Sequence, residues 1–267
     1  MLQKTQLLPD RPGIPPMAKM PEPEVIDPAA LARAYTAGDI DLICVLGPTA
    51  SGKTNYAVRL AHALSTAEIL SADSRQVYKG MDIGTGKDLG EYGDVPYHLI
   101  DLVPAGSKYN IYQYQKDFAQ AYAQVRDRGS IPILCGGSGL YIEAVTRAYK
   151  FEKENGLPAA DLPQRVYYIG TLVSREERVA RIDRRLEERL QEGLVEEVQG
   201  LLETVPAPDL IYYGLEYKFV TQYILGELSY EDMVIALGNA IHQFAKRQMT
   251  WFRGMERDGI TIHWVRP

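Results

Sequence analysis

The stretch Gly47-Pro48-Thr49-Ala50-Ser51-Gly52-Lys53-Thr54, GPTASGKT, decides the fold of this 267-residue chain. It matches the G-x-x-x-x-G-K-[ST] pattern of phosphate-binding loops. The run DLICVLG before it is short, continuous and apolar, which is typical of a parallel strand buried on both faces. After it, apolar residues recur with helical spacing at Tyr56, Ala57, Leu60, Ala61 and Leu64. This strand-loop-helix context is the one that the motif requires, so we predict a phosphate site here.

Each part of the loop has an expected role. Its glycines let successive backbone amides turn toward one anion, and the helix N-terminus adds a partial positive charge. We expect Lys53 to reach the outer phosphates and the Thr54 hydroxyl to ligate Mg²⁺. The residues predicted to bind a diphosphate or nucleotide are therefore Gly47, Pro48, Thr49, Ala50, Ser51, Gly52, Lys53 and Thr54. The loop by itself does not distinguish ATP from another diphosphate.

Alternation of strands and helices continues along the chain. AEILSA, YHLIDLV, IPILCGG and RVYYIGTLV read as further strands, helical patterns separate most of them, and the chain from there to Met255 is mainly helical. This order predicts an α/β fold, a P-loop NTPase-like parallel sheet flanked by helices, with a helical C-terminal portion. Residues 1–26 are rich in proline and lack periodicity, so we expect a flexible tail. Residues 27–267 then form a single domain, opened by a helix that Asp27 caps and Gly38 ends.

Composition narrows the classes of protein. Cys44 and Cys135 lie in apolar runs, which favours buried thiols in a reduced, cytoplasmic protein. We find no apolar run of signal-peptide or membrane-spanning length, so no membrane association is expected. The formal net charge is -6, so any nucleic acid would have to bind a local basic face.

A polar run follows the second predicted strand. Asp73 emerges at the carboxyl edge of the sheet, beside the phosphate loop. It could serve as a metal ligand, as a general base, or as a cap for the turn that follows. Ser74, Arg75 and Gln76 are suited to hydrogen-bonding a planar base, and a glutamine amide can pair with adenine.

Two further polar positions belong to the same predicted edge. Ser138 lies in GGSGLY, which is either a ligand-facing loop or a tight turn. Asp101 ends HLID and is either a second metal-organising acid or a turn aspartate.

Five segments in matching order carry a family resemblance: GPTASGKT, SADSRQVYKGMDIGTGK, VPYHLIDLV, PILCGGSGLYI and AKRQMTWFR. From about Ile43 to Trp264 the chain resembles the tRNA dimethylallyltransferases, also called tRNA isopentenyltransferases. The resemblance implies that the loop holds the diphosphate of dimethylallyl diphosphate and that Asp73 contacts the exocyclic amine of adenine in tRNA. It implies catalytic roles for Asp73, Lys53 and Arg185, with Mg²⁺ helping the diphosphate to leave.

The helix around Arg185 has a second interpretation. Arg185 aligns with a family arginine that helps to hold the diphosphate, and it flanks the apolar stripe of Ile182, Leu186 and Leu190. A solvated, charge-laced helix is the alternative, and we expect it to describe Arg184 and Arg189 better.

Cations near the C-terminus are candidates for RNA contact. Apolar residues recur on one helix face at Leu237, Ile241, Phe244 and Phe252, which leaves Lys246, Arg247 and Arg253 as a possible RNA-backbone patch. Surface solubility is the alternative for each of them. Together with Asp73, Ser74, Arg75, Gln76 and Ser138, Lys246 and Arg247 form the predicted acceptor-binding set.

The sequence departs from the family pattern at several points. The helical insertion expected near residues 150–164 is missing, since only YKFEKENGLPAADLPQ spans that gap. Ser138 replaces the usual threonine, Gly86 and Asp88 alter the usual AKP, and Glu216 stands where glycine is usual. The alternatives are prenylation of a free adenine nucleotide such as AMP, a P-loop kinase or NTPase, and a non-catalytic RNA-binding remnant.

Overall fold

The helices of the protein follow the order that the sequence predicts. The structure is a computed structural model that describes residues 21–147 and 162–267. Its α-helices are α1 Pro28–Ala37, α2 Lys53–Leu64, α3 Ile111–Asp127, α4 Gly139–Thr146, α5 Arg175–Glu192, α6 Leu194–Leu201, α7 Ala207–Tyr213, α8 Leu215–Ile224 and α9 Tyr230–Arg257. A 3₁₀ turn spans Leu89–Tyr92.

The strands form one large parallel sheet and one small one. They are β1 Leu42–Leu46, β2 Ala67–Ser71, β3 Tyr78–Lys79, β4 Tyr97–His98, β5 Val103–Pro104, β6 Ile131–Gly136, β7 Val166–Thr171 and β8 Ile262–Val265. The large sheet has the order β4-β2-β6-β1-β7-β8, and its strand pairs are parallel. Apolar clusters cover both of its faces. The predicted α/β architecture is confirmed.

The predicted strand YHLIDLV is wrong over most of its length. Only Tyr97 and His98 join the large sheet, as β4. Leu99 and Asp101 then take left-handed backbone conformations, with φ of 67° and 57°, which end the extended chain. Val103–Pro104 pairs instead with Tyr78–Lys79 in the small sheet.

Both ends of the described chain meet at the edge strand β8, which the sequence pattern did not predict as a strand. Asp27 caps α1 by accepting a hydrogen bond from the Ala29 N–H, and Gly38 ends the helix at φ 75°, as expected. Ahead of α1, Glu24 donates its N–H to the Trp264 carbonyl at 2.7 Å, and its carboxylate contacts His263. The expected tail is therefore bound at Glu24, while residues 1–20 lie outside the described part.

The C-terminal portion is helical, as predicted. Helices α5 to α9 bury a separate apolar cluster together with Val77, Tyr78 and Met81, the residues that follow the polar run after β2. This cluster places α5 and α9 beside the carboxyl edge of the large sheet. The gap of the missing insertion falls mostly on residues 148–161, which lie outside the described residues.

No helix within residues 21–147 and 162–267 is long and apolar enough to cross a membrane.

Candidate active site

The phosphate loop joins β1 to α2 and is packed against β7. A Cβ on Gly47 would lie 2.3 Å from Thr171 Oγ1 and 2.5 Å from Ser51 Oγ, so only glycine fits there. The Ser51 and Thr171 hydroxyls are buried and hydrogen-bonded at 2.7 Å. The Pro48 carbonyl accepts the Ser51 N–H at 3.3 Å. These contacts, within the loop and with β7, fix the shape of the loop. They engage the Ser51 hydroxyl in a structural hydrogen bond.

The upper part of the loop has the backbone geometry of an anion cradle. Ala50 and Gly52 have φ of 59° and 79°, the left-handed conformation that turns neighbouring amides to one side. Lys53 and Thr54 begin α2, and both are half-buried. The loop thus has the form that the motif predicts.

The Lys53 ammonium lies in a field of several charged groups. Burial lowers its pKa, Cys135 and Asp73 act in the opposite direction, and the Arg185 guanidinium lowers it further. These interactions mean that Lys53, Asp73 and Arg185, the three predicted catalytic residues, occupy one neighbourhood. A bound diphosphate would relieve the repulsion between the two cations.

The loop after β2 and the loop after β6 meet, as predicted. Asp73 Oδ1 accepts the Arg75 N–H at 2.9 Å, which is the capping turn, and this bond uses one of its two oxygens. Ser138 Oγ accepts the Ser74 N–H at 3.0 Å. A Cβ on Gly136 would lie 2.2 Å from the Ala72 carbonyl oxygen, so the two strands end in direct contact. Ser138 therefore orients the segment that carries Asp73.

Arg75 and Gln76 are engaged within the protein. The Arg75 guanidinium lies 5.5 Å from the ring centroid of Tyr213 on α7. The Gln76 amide donates to the Gly86 carbonyl at 3.2 Å, and its oxygen accepts from Ser71 Oγ at 3.2 Å. In this conformation Gln76 ties the loop between β3 and β4 to β2, and its pairing with adenine stays a prediction.

Gln248 on α9 links two of the loops and was missed in the sequence. Its side-chain oxygen accepts the Thr49 N–H at 2.8 Å, and its amide donates to the Gly137 carbonyl at 3.0 Å. The residue is buried, with 8% of its surface exposed. One signal existed: Gln248 lies seven residues after Ile241, on the apolar face of the helix. A buried amide among apolar neighbours must find partners, and here they are the two loops.

A second contact brings α9 against the same loop. The Trp251 ring fills the space beside Gly139, where a Cβ would lie 2.3 Å from the indole. Gln248 and Trp251 are on successive positions of one helix face, so α9 packs along the start of α4.

Arginines of α5 line a cleft beside the phosphate loop. The cleft has a volume of about 440 Å³, and its lining includes Ala50, Gly52, Arg185 and Arg189. Arg185 is paired with the Asp88 carboxylate. The expectation for Arg189 was wrong, since its side chain is 13% exposed and lies 3.6 Å from the Glu216 carboxylate. Arg184 is exposed, as expected, and borders the same cleft.

Glu197 on α6 fixes the loop that carries Gly86 and Asp88. Its two oxygens accept the backbone N–H groups of Asp82, Ile83 and Gly84 at 2.7 to 3.0 Å. Tyr217 donates its hydroxyl to the same carboxylate at 2.8 Å. A carboxylate that accepts several N–H groups holds them strongly, so Glu197 positions one wall of the cleft.

Asp101 forms an ion pair with Lys87, which is neither of the two roles considered for it. Its Oδ1 accepts from the buried Lys87 ammonium at 2.5 Å. Lys87 also donates to Asp82 Oδ1 at 2.6 Å and to the Tyr78 carbonyl at 2.7 Å. This buried cation needs both carboxylates, which accounts for Asp101 at that position.

The predicted RNA-backbone patch is divided. Lys246 and Arg247 on α9 are exposed. Arg253 instead donates to the Glu256 carboxylate at 2.7 Å and lies over the Trp264 ring at 5.0 Å. Arg253 is therefore part of the packing between α9 and β8, and the exposed patch consists of Lys246 and Arg247.

The residues present suit Mg²⁺ only if a substrate supplies further ligands. Within the described residues no group of three His, Cys, Asp or Glu side chains could hold a metal ion. Mg²⁺ usually takes one or two protein ligands together with waters and substrate phosphates. The half-buried Thr54 at the start of α2 fits that arrangement.

Comparison with known proteins identifies related sequences. The family model described as IPP transferase matches residues 76–163 and 150–255, and one described as isopentenyl transferase matches residues 40–92. A tRNA dimethylallyltransferase 1 of Parabacteroides distasonis is 48% identical, over 84% of this chain and 92% of that protein. A tRNA dimethylallyltransferase 2 of Shewanella sediminis is 43% identical, over 85% and 93%.

A solved structure shares the architecture. The full-length tRNA isopentenylpyrophosphate transferase of Bacillus halodurans superimposes with a TM-score of 0.73 and 27% identity. The match covers 84% of this chain and 89% of that one.

Proposed function

The chain belongs to the IPP transferase family, and on that premise we propose that it transfers a dimethylallyl group from dimethylallyl diphosphate to the exocyclic N6 amine of adenine in tRNA. The observation that carries the proposal is the contact between the parts of the site: Gln248 joins the phosphate loop to the loop after β6, and Ser138 of that loop accepts the N–H of Ser74, the neighbour of Asp73. Arg185 lines the cleft beside the phosphate loop. An anion cradle and a carboxylate side by side are what alkylation of an amine by an allylic diphosphate needs.

The donor half of the reaction takes place at the phosphate loop. Backbone N–H groups of the loop, Lys53 and Arg185 bind the diphosphate. As the bond between the allylic carbon and oxygen breaks, its electron pair leaves with the diphosphate. The negative charge grows there, so cations fixed beforehand lower the barrier. When bound through Thr54, Mg²⁺ would add positive charge to the leaving group.

The acceptor half takes place at Asp73. The adenine N6 attacks the allylic carbon, and a C–N bond forms while nitrogen loses a proton. The Asp73 carboxylate accepts that proton, which makes a weakly nucleophilic amine more reactive. Ser74 and Ser138 position the carboxylate through their hydrogen bonds. Arg75 and Gln76 border the place where the base would enter.

Several observations favour tRNA as the acceptor. The relatives named above carry that activity in their names and are matched over most of their length. Lys246 and Arg247 are exposed on α9, the helix that contacts both loops of the site. We propose that they bind the RNA backbone. A P-loop kinase could use the loop and Asp73 for nucleotide chemistry, but ATP turnover would leave the relatives' names unexplained.

Prenylation of a free adenine nucleotide is the second candidate. It is favoured by the match of residues 40–92 to the isopentenyl transferase model and by the missing insertion. The IPP transferase model matches in two segments that overlap at residues 150–163, which supports the compact form that we propose.

The test offers the purified protein dimethylallyl diphosphate and Mg²⁺ with unmodified tRNA, AMP or ATP. Mass spectrometry then looks for the gain of a five-carbon unit on each acceptor. We expect it on tRNA. A gain on AMP or ATP alone would select the second candidate, and ATP loss without prenylation would overturn both.

A further inference from the structure

Residues of the loop after β3 and of α8 meet around two arginines of α5. Gly86 and Asp88 follow the loop held by Glu197, and Glu216 begins α8. Arg185 and Arg189 are four residues apart, so they project from the same face of α5. The structure brings all five residues to one end of the cleft beside the phosphate loop.

Gly86 provides the space for the Arg189 guanidinium. A Cβ at this position would lie 1.7 Å from Arg189 Nη2 and 2.8 Å from Arg185 Nη2. Both guanidinium groups therefore converge on one point of the chain. Gly86 also has a φ of 58°, which disfavours a side chain. An alanine here would have to push Arg189 away.

Two carboxylates hold the two cations in place. Asp88 is paired with Arg185, and the Glu216 carboxylate, which is buried, lies 3.6 Å from Arg189. Burial, and then the neighbouring Arg185, lower the pKa of Arg189. A multivalent anion stabilises two neighbouring cations that are largely buried. A guanidinium group can also bind two phosphate oxygens at once through two parallel hydrogen bonds.

We propose that Arg189 is a second guanidinium for the diphosphate of the donor, with Gly86 and Glu216 as the residues that admit and position it. The inference rests on the proposed function, since it concerns the donor end of the same site. It assigns Gly86 and Glu216 one purpose, which is to accommodate the Arg189 guanidinium in the cleft.

The test measures inorganic pyrophosphate binding by calorimetry in the full-length protein. In R189M we expect the pyrophosphate dissociation constant to rise about tenfold, because a charged hydrogen-bonding partner is removed. The matched control is R175M, which replaces an exposed arginine on the first turn of the same helix. This variant should bind pyrophosphate as the unaltered protein does. Affinity in R189M within about twofold of the unaltered protein, whatever its thermal stability, would overturn the proposal.

A second variant, G86A, tests the same contact from the opposite side, and on its own it does not depend on whether R189M folds. G86A alone should weaken pyrophosphate binding, and where R189M folds it should have little further effect in that background. An equal loss in both backgrounds, or no loss in G86A alone, would separate Gly86 from Arg189 and contradict the proposal. Failure of the prenyl-transfer assay in a protein that binds pyrophosphate would count against the proposed function only.

Discussion

Gly47 and Gly136 lie at positions where only glycine fits, because neighbouring groups occupy the space that a Cβ would need. Such contacts bring the loops of the site closer together than any larger residue would allow. They explain why Asp73, which follows a different strand from the phosphate loop, lies near Lys53. At the scale of single residues, the close approach of these loops at their glycines therefore decides which side chains lie together in the site.

The replacement of Asp73 by asparagine tests its role as the base. D73N keeps the size and one acceptor oxygen for the Arg75 N–H, but it no longer accepts a proton. We expect kcat to fall by about 10²- to 10⁴-fold, the usual contribution of general base catalysis. The measurement is single-turnover prenyl transfer.

Binding of pyrophosphate should be nearly unchanged in D73N, which separates a defect in chemistry from a defect in donor binding. As a control, D209N alters an exposed aspartate on α7. Full activity in D73N would remove the carboxylate from the mechanism.

Helix α9 shows how one element can organise several loops. Its apolar face packs in the core, while Gln248 joins the phosphate loop to the loop after β6. The hydrogen bonds of a single amide thus set the distance between the donor and acceptor parts of the site. The same helix presents Lys246 and Arg247 to solvent, so RNA contact and site geometry share one rigid support.

The variant Q248L tests this linkage. It leaves the Thr49 N–H and the Gly137 carbonyl without their partner, which we expect to lower the free energy of unfolding by about 1–3 kcal/mol. Because the loops would separate, kcat/KM should fall for both substrates. Denaturant unfolding and steady-state kinetics measure the two effects.

The exposed neighbour Gln243 provides the matched control as Q243L. A Q248L protein with the stability and kinetics of Q243L would show that the bridge is dispensable.

The molecule as a whole carries a net charge of -6, although its substrates are anions. The arginines that line the cleft are interspersed with an equal number of carboxylates, and on α9 Lys246 and Arg247 are exposed. Elsewhere, ion pairs hold elements together. One of them joins β2, β4 and the end of α3, where Glu68 accepts from Arg128 at 2.6 Å and contacts His98 at 2.7 Å.

This ion pair predicts a loss of stability in acid. The Arg128 hydrogen bonds lower the pKa of Glu68 from 4.5 to about 2, although its burial acts in the opposite direction. A carboxylate whose pKa is lower in the folded than in the unfolded protein stabilises the fold at pH values above its unfolded pKa. That stabilisation is lost as the pH falls from about 4.5 toward 2. We expect this ion pair to contribute about 2 kcal/mol to the free energy of unfolding, a value already reduced because solvent screens the half-exposed Arg128.

Unfolding free energies of E68Q and the original protein should thus differ at pH 6 and approach each other as the pH falls toward 2. E187Q, at an exposed position on α5, should follow the original protein throughout. A constant difference between E68Q and the original protein across this range would contradict the assignment.

RNA binding is the second whole-molecule prediction. The double variant K246A/R247A should raise the KM for tRNA several-fold and leave the KM for dimethylallyl diphosphate unchanged. The slope of log affinity against log salt should fall by about 2, because two RNA phosphates would no longer be neutralised by the protein. Filter binding at several salt concentrations measures it, and an unchanged slope would place the RNA on another surface.

The sequence by itself determined the strands that are continuous apolar runs, the helices with a clear periodicity and the phosphate loop. These depend on local rules: burial on both faces, 3.6-residue spacing and the backbone freedom of glycine. The position of Asp73 at the same sheet edge as the phosphate loop also followed from the sequence, because the carboxyl ends of parallel strands lie at one edge. By contrast, β8 was not predicted, and the run that contains β4 was predicted as a longer strand than the structure has.

Tertiary structure alone decided that Arg189 enters the site. On α5 it looks equivalent to a solvated arginine such as Arg184 until Gly86 and Glu216 are brought beside it. The same holds for Gln248, whose partners are 199 and 111 residues away in the chain. A side chain's role depends on neighbours that are distant in sequence, and no local pattern encodes them.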